Sequence, residues 1–399
     1  MKVIVFVLRG CSAGWLGAYG NEWVVTPDLD RFAAEGVVFD RHISDCPEAA
    51  AARRAWQTGR DQFRTADGPS PDLLQSLRDA GVFTALVRAN REANDALPDY
   101  YAGWGKLFDA RPVPGEGTLS LEEEMPGVLE HLAAHVDWLL WVEIDALLPP
   151  WDVSPAVFKA YVEDLVGDAG KTDDDPLVPW ADPETGWFDR EDVAAWELLH
   201  RSFAAVVTQL DADLGRVFEQ LRAAGAVQIV TSDAGFPLGE HGVIGPHRPL
   251  LHEELVHLPL MIRWPDAAHS GLRLNAFTQP ADLMPTILGL FGRPILGGVE
   301  GHELAGLWQG TVEGIRPHAV SVLSLGGASE AAIRTDEWAY LRPEAQHADD
   351  ADEPRTAALF VKPDDRWEVN DIAAREADVM ERLEQELKPS GVGDGQPGR

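Results

Sequence analysis

Basic residues are in short supply. The 399-residue chain carries 33 Lys and Arg against 66 Asp and Glu, a formal charge of −33. Phosphate backbones and anionic membranes both call for a basic footprint, so general nucleic-acid binding and electrostatic membrane adhesion are excluded. Long apolar runs are missing too: no stretch of about 18 consecutive apolar residues offers a membrane span. The opening run Met1–Leu8 is too short for a signal-peptide core and lacks a cleavage-type tail. Cysteine is nearly absent, with only Cys11 and Cys46, which excludes a disulfide framework and makes the cytoplasm the expected compartment. What is there is a globular composition, 45% hydrophobic and 25% charged, in a chain long enough to bury a sizeable core. The surplus acids are read as a solubilising surface.

Apolar runs suited to buried parallel strands lie at Val3–Leu8, Phe83–Val87, Trp138–Ile144, Val227–Thr231 and Leu258–Ile262. Helical stretches fall between them, near residues 26–35, 72–80, 121–134 and 155–166, with the longest from about 190 to 224. Ser154 before Pro155 suits an N-cap followed by a first-turn proline, and Gly225 suits a helix end. This alternation predicts an α/β fold, a mostly parallel central sheet with helices on both faces. After residue 310 the pattern changes to short antiparallel strands at Val320–Leu325, Ala331–Thr335, Trp338–Leu341 and Ala357–Val361, then a helix at Glu376–Leu387. The expected division is an α/β domain over 1–310, a small C-terminal α+β subdomain over 311–390, and a disordered tail over 391–399.

Several segments together resemble one family. Trp15–Gly20 (WLGAYG), Thr26–Phe39 (TPDLDRFAAEGVVF), Thr58–Arg60 (TGR), Val230–Gly242 (VTSDAGFPLGEHG) and His257–Pro265 (HLPLMIRWP) look like segments of the sulfatases, in the alkaline-phosphatase-like superfamily. Gly301–Gly310, Arg334–Leu341 and Ala358–Ile372 resemble its closing segment and C-terminal subdomain, so the likeness covers nearly the whole chain in order. The resemblance implies hydrolysis of sulfate esters by a formylglycine matured from Cys or Ser. It also implies a divalent cation, usually calcium, held mainly by carboxylates, and Lys and His groups that handle the charge.

The residues at those positions depart from the family pattern. The Cys-x-Pro-x-Arg nucleophile motif falls on Ala49 to Arg53, of which only Arg53 matches. A methyl group can neither be oxidised to formylglycine nor attack sulfur. Cys46 lies three residues early and has no Arg four residues on. The Asp-Asp pair of the first strand falls on Arg9 and Gly10, and the late Asp-His or Asp-Asn pair on Asp233 and Ala234. One carboxylate is too few for calcium, which takes about six to eight oxygens. Charge-handling positions fall on Arg88 to Arg91, on Asp145 to Leu147, and near Pro246 with His247 adjacent. Calcium and formylglycine are therefore both expected to be absent.

The residual pocket predicted by this mapping contains Arg9, Arg53, Asp233 and His247, with Arg88, Arg91 and His241 as weaker members. Arg9 is expected to stand where a metal ligand belonged and to pair with Asp233. Arg88 and Arg91 read equally as surface residues, and His241 as a structural hydrogen-bonding group. Trp151 and the Trp187–Trp196 stretch read either as a lid or as packing. The chain is thus read as a sulfatase-like pseudoenzyme with a binding or scaffolding role. Its partner would be a small anion, sulfate or phosphate, or another protein. The competing reading is an active, divergent sulfuric or phosphoric ester hydrolase using a non-standard nucleophile: Cys46, His247 or a water with no metal.

Overall fold

The computed structural model describes residues 1–63, 70–89, 98–110, 121–163, 177–345 and 355–387. Arg91 and the tail over 391–399 lie outside them. The strands run β1 (Lys2–Leu8), β2 (Val37–Ile43), β3 (Phe83–Ala89), β4 (Lys106–Asp109), β5 (Trp138–Ile144), β6 (Gly186–Trp187), β7 (Val227–Thr231) and β8 (Val243–Ile244). They continue with β9 (His257–Leu258), β10 (Leu260–Arg263), β11 (Leu272–Thr278), β12 (Ala319–Leu325), β13 (Ala328–Arg334), β14 (Trp338–Ala345) and β15 (Ala358–Val361). The central sheet has the order β11-β2-β10-β7-β1-β5-β3-β4, with β9 attached to β2. Its pairs are parallel except those made by β10 and β9.

Central strands such as β1 and β5 are apolar throughout because helices cover both faces, and burial follows: β5 is buried at every position. One core lies between the sheet and the long helix Val193–Leu221. A second lies on the opposite face, where the helices Ala49–Thr58 and Leu283–Leu290 contribute Trp56, Met284 and Ile287. Ser154 caps its helix by accepting the Val157 N–H, Pro155 occupies the first turn, and Gly225 (φ +61°) follows the long helix's final turn. The sequence expectation of one parallel strand at Leu258–Ile262 is corrected. Pro259 has no N–H to give a ladder, the segment splits into β9 and β10, and both pair antiparallel.

Strands β12 to β15 form a separate antiparallel sheet. One of its faces packs on the main body, Leu323, Ala339 and Phe360 meeting Ile43, Leu255 and Phe277. Its other face receives Leu383 and Leu387 of the last helix. Among the described residues no helix is long and apolar enough to cross a membrane.

Candidate functional site

Parallel register brings the strand ends level. Val7 of β1 and Arg88 of β3 both stand opposite Glu143 of β5, so the residues just beyond meet at one end of the sheet, where α/β folds carry their sites. Arg9 leaves β1 there and donates from Nε to Oδ2 of Asp233 at 3.1 Å. Asp233, two residues past β7, is 5% exposed. Its Oδ1 accepts the N–H groups of Gly10 (3.2 Å) and Ala234 (2.9 Å). The pairing anticipated from the sequence is present, and both carboxylate oxygens are engaged by protein donors.

These residues do not fit calcium. At the positions that the resemblance assigns to metal ligands, Arg9 presents a guanidinium and Ala234 has no side-chain oxygen. Gly10 has φ +82°, a backbone that side chains rarely adopt, and a Cβ there would stand 2.8 Å from Leu148 Cδ2, so a carboxylate at this position would strain the backbone and displace Leu148. Among the described residues no group of three or more His, Cys, Asp or Glu could hold a metal ion. Ala49, which the resemblance aligns with the nucleophile, opens the helix Ala49–Thr58 with a methyl side chain. Cys46 is 3% exposed. Burial first, then the carboxylates of Asp45 and Glu48, push its thiol up to about 12, so almost none of it is thiolate at neutral pH.

Arg53 is not a free cleft cation. Only 4% exposed, it forms a fork with Glu143, Nε to Oε1 at 3.1 Å and Nη2 to Oε2 at 2.6 Å. Tyr100 adds its hydroxyl to Glu143 Oε1 at 2.7 Å and its ring 4.8 Å from the guanidinium. Burial opposes the charge on Arg53, but the adjacent Glu143 outweighs it and raises the guanidinium's pKa above its ordinary value. Arg88 pairs with Asp109 at 2.6 Å and lies 4.9 Å from the Tyr101 ring. The Tyr101 hydroxyl is buried without a hydrogen-bond partner. Burial and then Glu143 raise its pKa, only partly offset by the nearby guanidinium groups, of which Arg53 lies 6.0 Å and Arg88 4.9 Å from the ring.

The histidines separate from this group. His247 is exposed and packs against Trp187, with centroids 5.6 Å apart. His241 bonds Glu254 at 2.6 Å and the Glu368 carbonyl at 3.1 Å, and stacks on His252. Burial disfavours its charge, but Glu254 prevails and its pKa is raised. Of the aromatic stretch read as lid or packing, Trp151 is core, whereas Trp196 stacks on His200 and lines a cavity of about 600 Å³ with Trp15, Trp23 and Trp367.

With this geometry in place, comparison with known proteins is informative. A family model described as Sulfatase matches residues 155–293. The N-acetylglucosamine-6-O-sulfatase of Bacteroides thetaiotaomicron is 32% identical over 108 residues, 26% of this chain and 19% of that protein. Arylsulfatase K of Danio rerio is 28% identical over 214 residues, 51% of this chain and 39% of that protein. The chain therefore spans less than half the length of these relatives. The crystal structure of the phosphonate monoester hydrolase of Agrobacterium radiobacter superposes with a TM-score of 0.72 at 18% identity, covering 97% of this chain and 94% of that one. The chain thus resembles the sulfatases in part of its sequence and shares the fold of sulfatase-like hydrolases along nearly all of its length.

Within this sulfatase-like chain, the matched segment 155–293 includes Asp233 and His241 but neither Arg9 nor Ala49. Sequence reasoning missed Glu143, Tyr100, Tyr101 and Leu148. A signal existed for the first: Glu143 is the lone charge in WLLWVEI, and a carboxylate in a fully buried strand demands a cationic partner. Nothing in the local pattern marks Leu148 as the residue packed against Gly10.

Proposed function

We propose that this sulfatase-like protein no longer hydrolyses esters at the ancestral centre and serves as a binding or scaffolding protein. The observation that carries this reading is the Arg9–Asp233 ion pair, in which a guanidinium meets the carboxylate that the resemblance to sulfatases would assign to a metal. Three further features support it. The nucleophile position is Ala49, the second ligand position is a left-handed glycine closed by Leu148, and Arg53 is neutralised by Glu143. Internal cationic groups have taken over the electrostatic place of the metal, as expected where a buried carboxylate must be compensated. Residual anion affinity there rests on Arg9, Arg53 and Arg88 around Tyr101, each of which already faces a carboxylate.

The test is calcium titration of the chelator-stripped protein by calorimetry. The reading expects no saturable uptake at one equivalent. Stoichiometric binding that disappears in Asp233→Ala would overturn it. The alternative, a divergent hydrolase working through Cys46, is disfavoured by that thiol's burial and raised pKa.

A further inference from the structure

A local reversal of the chain's negative charge lies away from the Arg9–Asp233 centre. A cavity of about 510 Å³ opens where β2 and β11, at the edge of the main sheet, face the small C-terminal sheet. Arg41 and Arg273 line it from the main sheet, and Arg334, Lys362 and Arg366 from the C-terminal side. The carboxylates in the lining are Asp40, Glu253 and Asp336. Five permanent cations thus meet three acids inside a protein of net charge −33, and none of the lining residues belongs to the Arg9–Asp233 centre.

The pairing of these cations leaves capacity for a ligand. Arg41 is bonded to Asp336, whose side chain is 74% exposed, and Arg273 to Asp40 with its own side chain 48% exposed. Exposed pairs of this kind are worth about 0–1 kcal/mol and open readily for a better anion. Arg366 donates to the Tyr19 carbonyl at 2.9 Å and makes no ion pair with any described residue.

Arg334 is the decisive group. It is 3% exposed. Its Nη2 bonds the Leu251 carbonyl (2.6 Å) and Glu368 (2.8 Å), while Nε and Nη1 have no hydrogen-bond partner. Glu253 stands 3.6 Å from that Nε, beyond hydrogen-bond range. Arg334 belongs to the cavity lining, and a buried guanidinium with unfilled donors is rare in a finished interior. Lys362 beside it is held by Glu253 and Glu368, both at 3.1 Å, which fixes its charge on the same wall.

We propose that this cavity binds a compact polyanion bearing at least two oxyanion groups, one meeting Arg41 and Arg273 and another meeting Arg334 and Arg366. Guanidinium forks match oxyanions geometrically. Cations on two facing walls favour a ligand with more than one such group, and the surrounding negative field discriminates against weakly held single anions. The volume falls within the range of about 300–1,000 Å³ common to small-molecule sites. A ligand there would also tie the small sheet to the main body. This inference does not depend on whether the ancestral centre is active.

The experiment is calorimetric titration of the full chain at low ionic strength with tripolyphosphate, citrate and inorganic phosphate. Tripolyphosphate is expected to bind one to one, with Kd on the order of micromolar. Arg273→Gln and Arg366→Gln should each weaken it about tenfold, as for loss of one charge-assisted contact, with ligand-free thermal midpoints unchanged. Arg9→Gln should leave the affinity as it is. A preference for tripolyphosphate over citrate assigns phosphoryl-type groups and the reverse assigns carboxylates, both supporting a polyanion site. Inorganic phosphate binding as tightly as tripolyphosphate, no binding at millimolar ligand, wild-type affinity in Arg273→Gln and Arg366→Gln, or loss of affinity in Arg9→Gln would each overturn it.

Discussion

Replacing Glu143 tests how the Arg53–Glu143 pair is held in the interior. Glu143 is fully buried, its Arg53 partner is 4% exposed, and Tyr100 donates to the same carboxylate. Removing one member of such a pair strands the other's charge in the interior, at about 3–5 kcal/mol. Replacing both by apolar residues of similar volume removes the stranded charge, so that change should lie near neutral or be stabilising. Glu143→Leu alone is therefore expected to lose about 3–5 kcal/mol, and Arg53→Met with Glu143→Leu to recover most of it. At about 2.1 cal/mol/K per residue of unfolding entropy, the single variant's loss corresponds to a midpoint roughly 4–6 °C lower. Urea denaturation of wild type, both single variants and the double variant closes a double-mutant cycle. A coupling energy below about 1 kcal/mol would refute the argument, because it would mean that Arg53 finds other compensation when Glu143 is gone.

Two further outcomes follow from the structure. Burial pulls the pKa of His42 down to about 3 and that of His200 to about 4. In the unfolded chain both titrate near 6.5, so on acidification the unfolded state takes up protons first. The stability they support is complete above about pH 6.5 and drains away as pH falls towards 4, by up to about 2 kcal/mol per histidine at pH 5. Urea midpoints at pH 7 and 5 for wild type and a His42→Gln/His200→Gln double variant isolate this share from general surface charge, and an identical pH slope in both would contradict it. Restoring a family carboxylate by Gly10→Asp should not restore calcium binding. The residue would enter at φ +82° against Leu148, lowering stability by about 1–3 kcal/mol, and one equivalent of bound calcium in that variant would show the reasoning wrong.

Much of the architecture was legible because it is periodic. The buried runs of β1, β5 and β7, the long helix and the Ser154 cap all follow from spacing and local chemistry that act within a few residues. The strands β2 and β11 were not legible in the same way. Arg41 in β2, and Arg273 and Asn275 in β11, interrupt those segments with polar groups, and they face the lined cavity at the sheet's edge. The antiparallel course of β10 depends on how the chain returns after Pro259, a tertiary choice that no short window records. In the centre, Arg9 was readable as a partner for Asp233. The Arg53 partner was hidden because Glu143 lies 90 residues away, and only the unusual carboxylate in an apolar strand hinted at it. The unfilled donors of Arg334 depend on packing between two sheets and had no trace in the sequence.

The most direct test of the central claim is product release from an aryl sulfate and an aryl phosphate by the purified chain, with Asp233→Ala assayed alongside. The account predicts no turnover above buffer for either substrate and no difference between the two proteins, with or without added calcium. Clear turnover by the wild type that is abolished in Asp233→Ala would contradict it and return the chain to the hydrolases.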